Sequence, residues 1–188
     1  MKNEMKKLIV TSVLFTLVTG VLFGLVYPLV TTAIASVAFP KQANGSLVYD
    51  AQGSVIGSHL IGQAFVGDSY FHGRPSAAGA GYDAGSSGGS NLGPTNKALL
   101  TRVDQAVAAE GAGAPIDLVT TSGSGLDPDI TPAAAMFQVE RVAKARKLSA
   151  DAVRTLVEAH VTQRQMGLLG EPRVNVLELN LALDKASH

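Results

Sequence analysis

The longest apolar stretch of the chain runs from Leu8 to Phe39 and contains no charged residue. Because roughly 20 apolar residues in a helix span the hydrocarbon core of a bilayer, this stretch predicts one transmembrane helix with an outward extension. Tyr27 and Pro28 lie about where such a helix reaches the outer headgroups, a depth that favours amphipathic rings. The apolar turns from Leu29 onward then protrude and need cover from another protein surface, or lie along the membrane after a kink at Pro28.

Four later segments carry apolar residues at helical spacing and predict four helices. The first follows Pro94 and ends at Gly111, and the second begins with Thr131 as N-cap and Pro132 in its first turn. The expected apolar stripes are Leu99, Leu100, Val103 and Val107 in the first helix and Ala135, Val139 and Val142 in the second. The last turn of the second helix is basic, which suits the helix dipole, through Lys144, Arg146 and Lys147.

The third predicted helix is capped by Ser149 and continues until Gly167. Its expected shared face is formed by Val153, Leu156, Val157, His160 and Val161. The last segment, VNVLELNLALDKA, is apolar on more than one side, so it predicts a largely buried helix with Asn175 as a possible cap.

Short, partly alternating segments between Lys41 and Phe71 predict strands, namely SLVYD, SVIGSHLIG and QAFV. The Asn44-Gly45 and Gln52-Gly53 pairs bound them and favour a hairpin at the start. A further strand and an Asp-Pro turn are predicted in DLVTTSGSGLDPD. From Gly73 to Pro94 the chain is rich in Gly, Ser, Ala and Pro and longer than an ordinary connection, so it is either disordered or a structured functional loop.

The predicted fold class is therefore a mixed α/β extracytoplasmic domain, with short strands and about four helices, tethered by one N-terminal transmembrane helix. The head before the span is basic, with Lys2, Lys6 and Lys7 against Glu4, so the positive-inside bias keeps it cytoplasmic and sends the rest outward. This divides the chain into a cytoplasmic head (1–7), a transmembrane helix with its extension (8–39) and a periplasmic domain (40–188). A cleaved signal peptide is the alternative, with Ala33 and Ala35 near a cleavage site.

Composition narrows the function of the outer domain. The chain has no cysteine, so disulfides do not staple it, and no tryptophan. From residue 40 onward it has twelve Lys and Arg against fourteen Asp and Glu. This near-equal number of charges provides neither a basic surface for nucleic acid nor an acidic surface for metal ions. It favours contacts with other proteins instead.

The glycine-rich stretch SGGSNLGPTN (Ser87 to Asn96) resembles a phosphate loop only superficially. A P-loop needs a Lys-Ser or Lys-Thr pair after its last glycine, whereas Pro94-Thr95-Asn96 separates Gly93 from Lys97. We expect turns that lead into a helix N-terminus. The alternative is that backbone N–H groups and the helix start bind an anion or a partner carboxylate.

Other reactive residue types lack a catalytic pattern. Ser122 and Ser124 in TTSGSG do not form a nucleophile elbow, and the four histidines have no metal-site spacing. Asp127 and Asp129 in LDPDI are an acid pair suited to proton transfer, or turn and dipole residues ahead of a capped helix. Arg74 is expected to clamp a carboxylate, either on a partner or within its own domain. No catalytic or metal-binding residue is predicted.

A series of motifs in order along the chain carries a family resemblance: YP at the outer end of the span, QANGSL, LIGQ, YFHGRPSA, SGGSNLGPTN, TTSGSGLDPDI followed by Pro132, RVAKAR and GEPRVNVLELNLALD. This set resembles the C subunit family of the Kdp potassium-transporting ATPase (KdpC). The resemblance implies an accessory subunit of the cell inner membrane, with the outer domain above the potassium entrance. The implied partners are a channel-like potassium-binding subunit, a P-type ATPase subunit and a small membrane peptide.

The same resemblance implies that ATP and potassium are substrates of the whole complex and that this subunit raises the ATP affinity of the pump subunit. Direct ATP contact conflicts with the topology, because ATP is cytoplasmic and only the residues before Leu8 face that side. The residues expected to meet partners or to define the fold are Tyr27, Pro28, Arg74, Ser90, Asn91 and Asn96. The alternative function is a stand-alone, membrane-anchored periplasmic hydrolase or ligand-binding domain that uses Asp127, Asp129 or the Ser-rich loops.

Overall fold

The computed structural model describes residues 2–186. The chain divides into two compact units, and the division falls between Leu47 and Val48. The N-terminal unit is helical, with α1 at Lys2–Val21, a π-helical turn at Leu22–Val26, α2 at Tyr27–Ala38 and the short α3 at Pro40–Ala43. Together α1, the π turn and α2 form a 37-residue helix, long and apolar enough to cross a membrane.

The π turn explains how the helix passes Pro28. Proline has no N–H, and its ring clashes with the carbonyl four residues earlier in a regular α-helix. Here the N–H of Tyr27 bonds to the carbonyl of Leu22, five residues back, so the widened turn accommodates the proline. The chain stays helical through Pro28 and continues to Ala38.

The second unit combines five helices with short strands in its described part. β1 at Leu47–Tyr49 leads into it, and its other strands are β2 at Val55–Ser58, β3 at Asp129–Ile130, β4 at Val161–Thr162 and β5 at Arg173–Asn175. Its helices are α4 at Lys97–Glu110, α5 at Ile116–Val119, α6 at Pro132–Arg146, α7 at Ala150–Ala159 and α8 at Val176–Ala186. The prediction of a fold with mixed helices and short strands behind an apolar helix is confirmed.

Two small sheets are present in the described part of the chain. β1 pairs with β2, which confirms the predicted hairpin. The second sheet has the order β3-β5-β4 and is antiparallel throughout, with Ile130 and Val161 both opposite Val174. Val174 is fully buried, so the central strand lies against the core.

The core is formed mainly by α6, α7 and α8 packed against this sheet. The predicted apolar stripe of α6 is buried, and the basic last turn is present. Side-chain caps by Thr131 and Ser149 start α6 and α7 as predicted. The largest members of the core cluster are Phe71, Leu118, Ile130, Val139, Val142, Val153, Val157, Val174, Val176, Leu179 and Leu183.

Two buried amides hold an extended segment onto this core. Asn180 of α8 accepts the N–H of Phe71 and donates to its carbonyl, both at 2.9 Å. Gln138 of α6 does the same for His72, at 2.7 and 3.1 Å. Both amide side chains are 1% exposed. They take the place of a strand ladder, and they fix the chain immediately before Arg74.

Three sequence expectations were wrong. The third helix ends at Ala159, because the β-branched Val161–Thr162 pair joins the sheet beside β5. The DLV segment is the short helix α5, whose Leu118 and Val119 are buried on one side. QAFV does not form a strand. The N–H of the preceding Gly62 donates to the carbonyl of Leu126 at 2.8 Å, and the side chain of Phe65 packs against the core.

Candidate functional site

Charged side chains surround an open cleft of about 240 Å³ at the edge of the β3-β5-β4 sheet. Strands β3 and β5 supply Asp129 and Arg173, and the loop before β3 supplies Asp127. The complete lining is Arg74, Asp117, Asp127, Asp129, Ile130, Thr131, Glu171, Pro172 and Arg173. Two of the sequence candidates for chemistry, Arg74 and the Asp127/Asp129 pair, therefore meet in one place.

Arg74 uses its guanidinium within its own domain. Its Nη1 lies 3.4 Å from Oδ2 of Asp127, and its Nη2 donates to the carbonyl of Thr121 at 3.3 Å. About a quarter of the Arg74 side chain is exposed. The intramolecular alternative for Arg74 is thus the one found, and it ties the RPSA segment to the loop before β3.

The carboxylates of the cleft are engaged in structural bonds. Asp127 accepts the N–H of Asp129 through Oδ1 at 3.1 Å, while Asp129 pairs with Arg173 at 2.9 Å and accepts from Asn175 at 3.3 Å. Asp117, almost fully buried, accepts the N–H of Thr131 at 2.8 Å. Each of these three carboxylates therefore fixes a turn or a strand end beside the cleft.

Burial raises the pKa of Asp129, and the neighbouring Asp127 charge adds to the increase. Arg173 acts in the opposite direction, as does the hydrogen bond from Asn175. A carboxyl group with a raised pKa in a cleft is a candidate acid–base group. Its arginine partner and its strand position are equally typical of a structural ion pair, so geometry favours the second role.

The two glycine-rich loops pack against each other beside this cleft. The carbonyl of Ser124 accepts the N–H of Gly88 at 2.8 Å and the hydroxyl of Ser87 at 3.0 Å. Gly125 has a φ of +67°, and a Cβ on it would lie 2.5 Å from the carbonyl oxygen of Gly88. The glycines of SGGSNLGPTN and TTSGSG thus permit a close backbone contact, and the first loop is ordered.

The hydroxyl of Ser124 is directed to the backbone. It accepts the N–H of Leu126 at 3.1 Å and lies 3.4 Å from the hydroxyl of Ser122. These bonds are those of a turn. Among residues 2–186, no group of three or more His, Cys, Asp or Glu side chains is placed to hold a metal ion.

Comparison with known proteins decides the family. The family model described as "KdpC: K+-transporting ATPase, c chain" matches residues 9–185. The chain belongs to the KdpC family. A potassium-transporting ATPase KdpC subunit of Acidobacterium capsulatum is 62% identical over 178 residues, which cover 93% of this chain and 96% of the relative. Subunits of the same name from Koribacter versatilis and Caulobacter vibrioides are 58% and 54% identical, over 96% and 98% of this chain and 95% and 94% of theirs.

Membership in the KdpC family makes the chain a subunit of a K+-transporting ATPase, which implies further subunits. In this family member, Asn96 is the N-cap of α4 and accepts the N–H of Ala98 at 2.9 Å. Asn91 is exposed and has a φ of +52°, and Ser90 beside it is half-buried. Tyr27 and Pro28 lie in the other unit, at the π turn. Asn96 therefore caps a helix, whereas Asn91 is exposed to solvent.

Sequence reasoning missed Ser76, Tyr82 and Arg102 around the cleft-side loop. The hydroxyl of Ser76 donates to the carbonyl of Gly125 at 2.6 Å and accepts the N–H of Tyr82 at 2.7 Å. Tyr82 donates to the carbonyl of Arg74 at 2.6 Å, and burial raises the pKa of this phenol. Arg102 of α4 donates to the carbonyl of Ser76 at 2.9 Å. The sequence feature that could have indicated this cluster is the RPSA motif, in which Ser76 lies two residues after Arg74.

Proposed function

We propose that the chain is a non-catalytic accessory subunit of a high-affinity, ATP-driven potassium import complex, needed for assembly and stabilisation of that complex. The carrying observation is the family match over residues 9–185, because it covers both the apolar helix and the second unit. The bonding of the cleft supports the non-catalytic role, since Asp127 and Asp129 are used in ion pairs with Arg74 and Arg173.

The proposed placement is the cell inner membrane, with residues 1–7 in the cytoplasm, 8–39 as the membrane helix with its extension, and 40–188 in the periplasm. The 37-residue apolar helix supports a single span. The orientation follows from the basic head. Glu4 is paired with Lys7 at 3.3 Å, so Lys2 and Lys6 supply the excess positive charge that favours the cytoplasmic side.

The proposed partners are the channel-like potassium-binding subunit, the P-type ATPase subunit and the small membrane peptide of a Kdp complex. ATP and potassium are then substrates of the assembled complex. An increase in ATP affinity of the pump subunit does not need contact between ATP and this chain. A subunit that binds one conformation of the pump preferentially shifts the population towards that conformation and changes the apparent affinity for ATP.

Co-extraction tests this proposal. A tagged version of the full chain is expressed with the potassium-transporting and ATPase subunits and purified in mild detergent. We expect all subunits to be recovered together, and potassium-dependent ATPase activity to disappear when this chain is omitted and to return when it is supplied. Recovery of the tagged chain alone would refute the assembly role. A reporter fused after His188 that is active only in the cytoplasm would refute the proposed orientation.

The hydrolase or ligand-binding alternative has its own test. Asp127→Asn, Asp129→Asn and Ser124→Ala are compared with the unchanged chain in any hydrolytic assay for which the full protein is active. A loss of turnover in folded variants, without a loss of assembly, would replace the accessory role by an enzymatic one. We expect reduced stability of the variants and no specific loss of turnover, because all three side chains bond to backbone groups or to other side chains of the same chain.

A further inference from the structure

The connection between β4 and β5 ends in an exposed apolar tip. The two strands are antiparallel neighbours, and residues 163–172 connect them. Within this connection Gln165 and Leu169 form a bridge, in which the N–H of Gln165 donates to the carbonyl of Leu169 at 2.9 Å. The segment from Gln165 to Leu169 is named here the hairpin tip. Its Met166, Leu168 and Leu169 side chains are 93, 79 and 61% exposed.

The turn at the apex of the tip holds a methionine in the left-handed backbone region. Met166 and Gly167 have φ values of +52° and +72°, and the N–H of Leu168 donates to the carbonyl of Gln165 at 3.1 Å. A two-residue hairpin turn with both φ values positive favours Asn-Gly, because Asn and Gly tolerate this region and other residues seldom adopt it. The turn itself therefore does not favour methionine, and its exposed side chain indicates a role outside the fold.

Polar and charged side chains form a collar below the tip. Arg164 pairs with Glu171, and both are exposed, as are Gln163 and Gln165. Because the ion pair balances its own charge, the collar selects neither an acidic nor a basic surface. An apolar apex next to a polar collar matches the layers of a membrane surface, in which acyl chains lie beneath polar headgroups.

The size and the residue types of the tip favour lipid over a protein groove. Its three apolar side chains offer roughly 200–400 Å² of apolar surface. A stable interface between two proteins buries about 800 Å² on each partner. Leucine is under-represented among the residues that dominate protein interfaces, whereas it is common on the apolar faces of segments that lie in a membrane interface. Fluid lipid also requires no complementary shape around a protruding turn.

The N-terminal helix supplies the second attachment that a small tip needs. The three side chains contain about a dozen apolar heavy atoms, fewer than the carbons of a myristoyl chain, which alone binds a membrane only reversibly. Residues 39–46 connect α2 to β1, and this length of extended chain spans at most about 30 Å. Since the helix holds the chain in the membrane, the short connection gives the tip a high effective concentration of lipid, and a weak insertion becomes populated.

We propose that the hairpin tip inserts Met166, Leu168 and Leu169 into the lipid leaflet on the side of the membrane where the second unit lies. Arg164 and Glu171 then stay at the depth of the headgroups. The second unit is thereby attached to the membrane twice, which limits its rotation against the bilayer. This inference rests on the proposed membrane anchor and is independent of the proposed orientation and of complex assembly.

Fluorescence of a single tryptophan tests the insertion, since the chain contains no tryptophan. Leu168→Trp places the probe on the tip, and Leu100→Trp makes the same change at an exposed leucine of α4 as the matched control. Each full-length variant is reconstituted in phosphatidylcholine vesicles with and without bromine on the acyl chains. We expect bromine to quench the tip probe at least about twofold, because interfacial apolar segments reach about 5–10 Å into the boundary between headgroups and acyl chains. The control probe should keep its emission.

A second variant separates the apolar contact from the folding of the hairpin. Met166→Asn and Leu169→Thr are added together to Leu168→Trp. Asn suits the positive φ at position 166 better than Met does, and Thr suits a paired strand position, so the hairpin is retained. We expect the quenching by bromine to fall to the level of the control. Unchanged quenching would show that these side chains do not hold the tip in lipid.

Each other outcome overturns the insertion. An unquenched tip probe with the emission of water-exposed tryptophan means that the tip stays in water, and equal quenching of both probes means that contact with lipid is not specific to the tip. A blue-shifted but unquenched probe means that protein covers the tip. In vesicles of the chain alone this protein is a second copy, and if the effect occurs only in the assembled complex it is another subunit. Failure of the chain to float with the vesicles in a density gradient refutes the membrane anchor, whereas a floating chain with an unquenched tip refutes the insertion alone.

Discussion

Replacement of Asn180 tests the idea that buried amides, rather than strand pairing, hold the segment before Arg74. Asn180→Leu fills a similar volume but removes both bonds to Phe71. The N–H and carbonyl of Phe71 then stay buried without partners, because Phe71 and position 180 are 0 and 1% exposed. Each unsatisfied buried group costs about 1–3 kcal/mol, so the two groups together should cost the variant about 2–6 kcal/mol, a large part of a typical folding free energy.

The assay is urea unfolding of the full chain in detergent micelles, followed by circular dichroism. The apolar N-terminal helix stays in the micelle, so the change in helix signal reports the second unit. Gln105→Leu on α4 is the matched control, because it also replaces an amide by leucine but at an exposed position. It should change stability by less than about 0.5 kcal/mol. Equal effects of the two substitutions would refute the reasoning.

In an Asn180→Asp variant, pH determines whether one or both of the hydrogen bonds to the backbone of Phe71 can form. A carboxylate keeps the acceptor for the N–H of Phe71 but cannot donate to its carbonyl, and burial raises the pKa of such a carboxyl group above about 4. The protonated acid can donate as the amide does. Because the folded state binds the additional proton, the stability of this variant is greatest relative to the unchanged chain at acidic pH and declines as pH rises through the raised pKa. A pH-independent deficit would contradict this.

Three further predictions concern the cleft and its loops. In urea unfolding, Gly125→Ala should lower the free energy of unfolding by at least about 3 kcal/mol, because it adds left-handed backbone strain and a clash with Gly88. Gly113→Ala is the control, with a φ of +81° and free space around it, and should lower it by about 1–2 kcal/mol. Equal losses would refute the close packing of the two loops. Arg74→Lys should speed hydrogen exchange in peptides covering 120–127, because lysine lacks the guanidinium fork, and Arg154→Lys, an exposed pair, should not. Burial raises the pKa of Asp129 above 3.8, so the folded state binds more protons than the unfolded state just above pH 3.8. The stability of the unchanged chain relative to Asp129→Asn should therefore fall as pH rises from below 3.8 towards neutrality, and a constant difference would show that Asp129 is not perturbed.

Local signals predicted most of the helices, because their ends are set by nearby residues. Thr131 and Ser149 cap α6 and α7 through bonds to N–H groups three residues later, and Gly111 ends α4. The same logic located the hairpin, whose turn follows Asp50. Such signals fall within one turn of the chain and need no knowledge of the tertiary structure.

The hydrogen bonds between distant segments of the second unit could not be predicted from the sequence, because they do not depend on neighbouring residues. The bonds from Gln138 and Asn180 join positions 66 and 109 residues apart, and nothing in a helical pattern distinguishes an amide that binds a distant backbone from one that faces solvent. The strand errors have the same origin. DLV and QAFV carry the apolar residues of strands, but tertiary packing placed one in a helical turn and the other in an irregular segment.

The bonding of the described residues gives the family motifs a physical meaning. Side chains from YFHGRPSA, SGGSNLGPTN and NVLELNLALD bond to backbone groups in other motifs, as Ser76 does to Gly125, Ser87 to Ser124 and Asn180 to Phe71. With short strands and no disulfide, the second unit depends on these bonds to order its long loops. We expect substitution of residues with this role to destabilise the fold, because it leaves buried backbone groups without a hydrogen-bond partner. Sequence motifs rich in Ser, Asp and Gly are therefore compatible with the proposed accessory role, because a rigid domain favours the binding of a partner.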